Sequence, residues 1–179
     1  MASSGTSYPS RSSANSDRHH AVWLTVAIGV GVGVALVLAD EWIRAPLRVP
    51  GWRGLIAIAL LVGARRWSRS AFACTGAAVV AVALNADAGA SLMAGVFTYL
   101  IPALLLDLCF LLRAQPGMAF AALAGGLANA TRLLPMLAGG RVPGVSDGTL
   151  WYPVATHFAF GACGSLIALA VFSSLRQRR

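Results

Sequence analysis

Lysine is missing from the 179 residues: all 14 basic side chains are arginine, set against six carboxylates. Without a lysine the chain cannot build the phosphate cradle of a P-loop, so it supplies no ATPase of that kind itself. G-x-S-x-G, H-E-x-x-H and paired carboxylates are also missing, which removes the common hydrolase and metalloprotease arrangements. Cys74, Cys109 and Cys163 lie in apolar runs with no C-x-x-C spacing, so they read as small buried thiols and not as a disulfide or metal set. Histidine is scarce: His19 and His20 precede the first apolar run and His157 stands alone, while Met93, Met118 and Met136 have no cluster spacing. No metal, no cofactor and no enzymatic activity is expected from such a set.

Charged residues make up only 11% of the chain and apolar ones 58%, with a mean hydropathy of +0.72. These values describe a membrane protein. The formal charge of +8 would suit a nucleic-acid binder, but the arginines punctuate long apolar runs instead of lining a polar face. Nucleic acid is therefore not an expected partner, and the lipid bilayer is.

A span of about 20 residues is needed to cross ~30 Å of hydrocarbon. Six runs qualify or nearly qualify: 21–39, 54–64, 70–84, 90–112, 118–134 and 152–175. The predicted fold is all-α, an integral membrane bundle of about six helices, with residues 1–19 a disordered cytoplasmic tail, 20–175 the transmembrane domain and 176–179 a basic tail. The first run is too long, and its leading tail too extended, for a signal peptide. The second run is short, and extending it back to Leu47 brings in Arg48, Pro50 and Arg53, so it reads as short, tilted or partly re-entrant. Six crossings put both termini on one side. Nine arginines (Arg11, Arg18, Arg65, Arg66, Arg69, Arg113, Arg176, Arg178 and Arg179) then share the face that the positive-inside rule makes cytoplasmic, against five on the other.

Ala27, Gly31, Ala35 and Ala39 recur every four residues on the first helix, with Gly29 and Gly33 in an adjacent row. One face is thereby free of bulk, fit either for packing inside the bundle or for docking another membrane subunit. Asp107 is the carboxylate inside a span, and it reads as a partner of the basic inner turns or as a coupling group. Asn129 and Arg132, three apart, share a face of the fifth helix near its outer end, at the depth expected for Trp151, Tyr152 and His157 on the sixth. A Gly- and Pro-containing loop, 138–149, is long enough to act as a lid. These five residues are the candidate small-molecule contacts. Trp151 and Tyr152 also suit an interfacial belt, Arg132 an end anchor and His157 an ordinary helix contact.

The stripe Ala27, Gly31, Ala35, Ala39 and the segments A-G-G-L-A-N-A-T-R-L-L and Y-P-V-A-T-H-F-A-F-G-A-C-G-S-L resemble the S-components of energy-coupling factor (ECF) transporters. The resemblance implies a subunit of the bacterial cytoplasmic (inner) membrane that captures a vitamin-like molecule from outside. A separate transmembrane coupling protein and ATPase subunits would provide the energy. It further implies docking through the first-helix stripe and substrate contacts from Asn129, Arg132, Trp151, Tyr152 and His157. Two other readings remain beside it: a non-catalytic assembly subunit of a larger complex, and a membrane-embedded enzyme.

Overall fold

The computed structural model describes residues 11–42, 49–68, 70–113, 117–139 and 150–177. They form six helices: α1 (Arg11–Trp42), α2 (Arg53–Ser68), α3 (Ala73–Asp87), α4 (Leu92–Leu112), α5 (residues 118–139) and α6 (Trp151–Gln177). Four of them are long and apolar enough to cross a membrane, through His20–Trp42, Leu92–Leu112, Met118–Leu137 and Trp151–Leu175. The chain is a multi-pass helical membrane protein by these measures.

α1 begins at Arg11, ten residues before the apolar run predicted from residue 21, and so enters the segment expected to be a tail. Once the apolar part is helical, each residue added to its start needs only propagation and no new nucleus. The remaining two helices are short. α2 has 16 residues and α3 has 15, or about 24 and 22 Å at 1.5 Å per residue, short of the ~30 Å hydrocarbon layer. Both are wrapped by protein: Ile58, Leu61, Val62, Cys74, Ala77, Ala78 and Ala81 are all fully buried. α2 touches each of the other five helices and is the axis of the bundle.

Small residues set how closely the helices approach. Along the α5–α6 seam a Cβ on Gly161 would strike the Gly125 carbonyl and lie 2.6 Å from Asn129 Cβ, so the two backbones meet without side chains between them. On α1 the row of Gly29 and Gly33 faces α3, where a Cβ on Gly33 would lie 2.7 Å from the Ala77 oxygen. The turn between α3 and α4 closes at Gly89, whose φ of +85° is natural for glycine. Its N–H bonds the Ala86 oxygen at 3.0 Å, and that of Ala90 the Asn85 oxygen at 3.1 Å.

α4 and α5 are not uniform. α4 contains a π turn, Val96–Leu100, and α5 a 3-10 turn, Thr131–Leu133, between Met118–Ala130 and Leu134–Gly139. Each irregular turn lies just ahead of a proline, Pro102 or Pro135. Proline offers no N–H to the carbonyl four residues back and its ring crowds that carbonyl, so the turn must widen or tighten. In α4 the Ile101 N–H reaches back five residues to the Val96 carbonyl, and in α5 the Leu134 N–H bonds the Thr131 carbonyl three residues back.

Candidate functional site

The two irregular turns touch each other and carry Tyr99 and Arg132 into one cleft between α1, α2, α4 and α5. Asp40 enters from the last turn of α1 and Arg53 from the first residue of α2. Arg53 Nη1 donates to Asp40 Oδ1 at 3.2 Å, and the Tyr99 hydroxyl donates to Asp40 Oδ2 at 3.2 Å. Tyr99 is buried, while the Arg53–Asp40 pair is partly open. Arg132 is half-buried, and its Nε is buried with no hydrogen-bond partner among the described residues. The lining thus sets two guanidinium groups and a phenol against one carboxylate, a balance that favours an anion. Trp52, Leu36 and Ile56 supply the apolar wall. The cavity left is about 10 Å³, room for about one water molecule, where small-molecule pockets are typically about 300–1,000 Å³. A ligand larger than water has to displace side chains to occupy it.

Of the five residues expected at one site, Arg132 lines this cleft and the other four lie elsewhere. Asn129, fully buried, donates from Nδ2 to the His157 oxygen at 2.7 Å and to the Gly51 oxygen at 3.3 Å. His157 Nδ1 lies 2.8 Å from the Pro153 oxygen, one turn back on its own helix. Gly51, at φ +84°, presses on the imidazole, where a Cβ would come within 2.7 Å of Cγ. Asn129 and His157 therefore join α5 and α6 to the turn that starts α2. A helix too short to reach the membrane surface leaves its ends among protein groups, and these ends need protein partners. Trp151 and Tyr152 are exposed at the start of α6, edge to face with centroids 6.1 Å apart. Residues 140–149, most of the expected lid, lie outside the described residues, as do Arg44, Arg48, Arg69 and Arg141.

Asp107 pairs with neither Arg113 nor another basic turn residue among the described residues. Its carboxylate, 1% exposed, accepts from Cys74 N at 3.3 Å, Thr75 N at 2.8 Å and Thr75 Oγ1 at 2.7 Å. These are the first free N–H groups of α3, so a carboxylate on α4 caps a neighbouring helix and faces the positive end of its dipole. Close by, Arg65 donates to the Ser70 carbonyl and the Cys74 thiol to the Leu61 carbonyl at 3.3 Å.

The α1 stripe divides. Ala27 and Gly31 are exposed, and a Cβ on Gly31 would meet nothing within 4 Å; Ala35 and Ala39 are half-buried, and Ala39 lines the cleft. Of the four long spans α1 is the least covered, 11% of its apolar stretch being buried against 39% for α4 and for α5.

Tyr99, Asp40 and Arg53 were absent from the site predicted from sequence. A signal was present, however: T-Y-L-I-P at 98–102 and T-R-L-L-P at 131–135 share a T-x-L-x-P pattern, with Tyr99 and Arg132 at equivalent places. Comparison with protein families, with curated proteins and with solved structures finds no match for the chain. The fold and the cleft define a helical multi-pass membrane protein with a polar cluster where two broken helices meet.

Proposed function

We propose that this chain is the substrate-binding membrane subunit of a transporter, akin to the ECF S-components. It captures a small vitamin-like, anionic molecule from the outer side of the bacterial inner membrane, with both of its own termini in the cytoplasm. Separate coupling and ATPase subunits drive uptake, since the chain has no lysine for a P-loop. The observation that carries the reading is the Asp40–Arg53–Tyr99–Arg132 cluster at the junction of two proline-broken helices. Charged groups at membrane depth are costly and mark ligand paths, and broken helices in transporters expose backbone and side chains to a bound solute. Asp40 and Arg53 bracket the first inter-helix link, which the arginine count places on the outer face. The cavity is water-sized, so a bound ligand has to displace side chains, and α1, the least covered of the long helices, has the least packing to hold it back.

The test is mass spectrometry of small molecules extracted from the purified full-length protein. A copurifying anion that raises the melting temperature of wild type and not of Arg132→Gln is expected. No bound molecule, and no stabilisation by a metabolite library, refutes the reading. A C-terminal reporter fusion should report the cytoplasm.

One observation favours an assembly subunit instead. The Gly29/Gly33 row is used up against α3, whereas the Ala27/Gly31 row stays open. Gly31→Leu should then release a membrane partner without altering melting of the isolated protein.

A further inference from the structure

The cleft has more donors than acceptors and almost no free space. Both oxygens of the Asp40 carboxylate are engaged, one by Arg53 and one by Tyr99. Both contacts measure 3.2 Å, longer than the ~2.7–2.9 Å of a well-seated guanidinium–carboxylate bond and the ~2.5–2.7 Å of a hydroxyl–carboxylate bond. Arg132 faces the same space with Nε buried and no acceptor among the described residues. Burying a guanidinium N–H without a partner is costly, so an anionic group that reaches Nε is favoured there. Asp40 also sits on the last turn of α1, four residues beyond Leu36, which is 1% exposed and holds the helix in the core. Leu36 thus anchors α1 one turn below Asp40, and the turn that carries Asp40 is held to the bundle through Arg53 and Tyr99.

Resting on the reading of the cleft as a solute site, we infer that Asp40 is a tethered stand-in for the ligand's carboxylate. It fills the seat between Arg53 and Tyr99. A carboxylate ligand displaces it, takes the same two donors and adds Arg132, whose Nε then gains its acceptor. The displaced Asp40 lets the last turn of α1 beyond Leu36 move outward. Binding at the cleft is thereby converted into a movement of the least covered helix. Removing Asp40 should consequently strengthen anion binding, the opposite of what deleting an ordinary contact does. A cation is disfavoured as the occupant because two arginines line the space with a single carboxylate.

The experiment uses the full chain in nanodiscs of phosphatidylcholine, a lipid whose headgroup carries no carboxylate, with protein-free discs as the blank. Sodium acetate is the probe and methylammonium chloride, at equal ionic strength, the counter-probe. Binding is read from the melting temperature and from the fluorescence of Trp52, which lines the cleft, with Trp52→Phe to identify its signal. Asp40→Asn should bind acetate about tenfold more tightly than wild type, the order of one net charged hydrogen bond. Arg132→Gln placed on that variant should abolish the gain, and Asp40→Glu should restore the block. Asp40→Ser replaces Asp40→Asn if the latter does not accumulate. An acetate response in these nanodiscs assigns a soluble ligand. A response only to added phosphatidylserine, still stronger in Asp40→Asn, assigns a lipid headgroup and supports the same exchange. Acetate binding that is unchanged or weaker in Asp40→Asn overturns the stand-in while leaving the solute-binding reading to the extracted ligand. Preference for methylammonium, or no response by any variant to either carboxylate, overturns it as well.

Discussion

Asp107→Ala should unlatch the start of α3. Three hydrogen bonds disappear with the carboxylate, two of them from backbone N–H groups, that of Cys74 buried and that of Thr75 partly so. Polar bonds between membrane helices are worth about 0.6 kcal/mol on average and up to about 1.7. A buried donor left unsatisfied costs about 1–3 kcal/mol. Together these place the loss between about 2 and 5 kcal/mol, or a fall of about 4–20 °C in apparent melting temperature for a chain of this size. Asp107→Asn keeps one acceptor oxygen and should lie between wild type and alanine. Cys74 gives a local readout, because it is fully buried and its own N–H is one of those capped. With Cys109 and Cys163 replaced by serine, maleimide labelling of Cys74 should be slow in wild type and fast in Asp107→Ala. Arg113→Ala is the control and should shift stability by less than about 0.5 kcal/mol. Asp107→Ala with unchanged melting and unchanged Cys74 protection would refute the capping argument, as would an Arg113→Ala loss of equal size.

Gly33→Ala and Gly31→Ala should differ sharply in thermal unfolding. The first forces a methyl within 2.7 Å of the Ala77 oxygen and should cost about 1–3 kcal/mol, while the second meets open space and should be silent. Gly161→Ala overpacks the α5–α6 seam and should destabilise by a similar amount in the same assay. Asn129→Ala removes the tie between α6 and the Gly51 turn. Its expected loss is about 1–3 kcal/mol, with faster proteolysis near residues 49–52 and no selective effect on acetate binding.

Hydropathy placed the long helices well: 90–112 and 152–175 match α4 and α6 closely, because a run of 20 apolar residues has few stable alternatives in lipid. The weakness of the second segment was legible too, in the arginines and proline ahead of it. Its role as the axis of the bundle was not, since a short helix with charged flanks looks peripheral until its neighbours are in place. Polar residues needed their neighbours for the same reason. Asp107 reads in sequence as a partner of the basic inner turns or a coupling group, and Asn129 and His157 as ligand contacts; in the fold Asp107 caps α3, while Asn129 and His157 meet the turn that starts α2.

The sequence by itself determined that this is an all-α membrane protein without a P-loop of its own, and which helices are long enough to cross. Those properties follow from composition and run length, which act locally. Only the tertiary structure decided which polar residues face one another. Asp40 and Tyr99 are 59 positions apart, and Arg132 reaches their cleft from a fifth helix. Their meeting depends on how α4 and α5 pack, so that the irregular turns ahead of their two prolines touch, which no local pattern encodes.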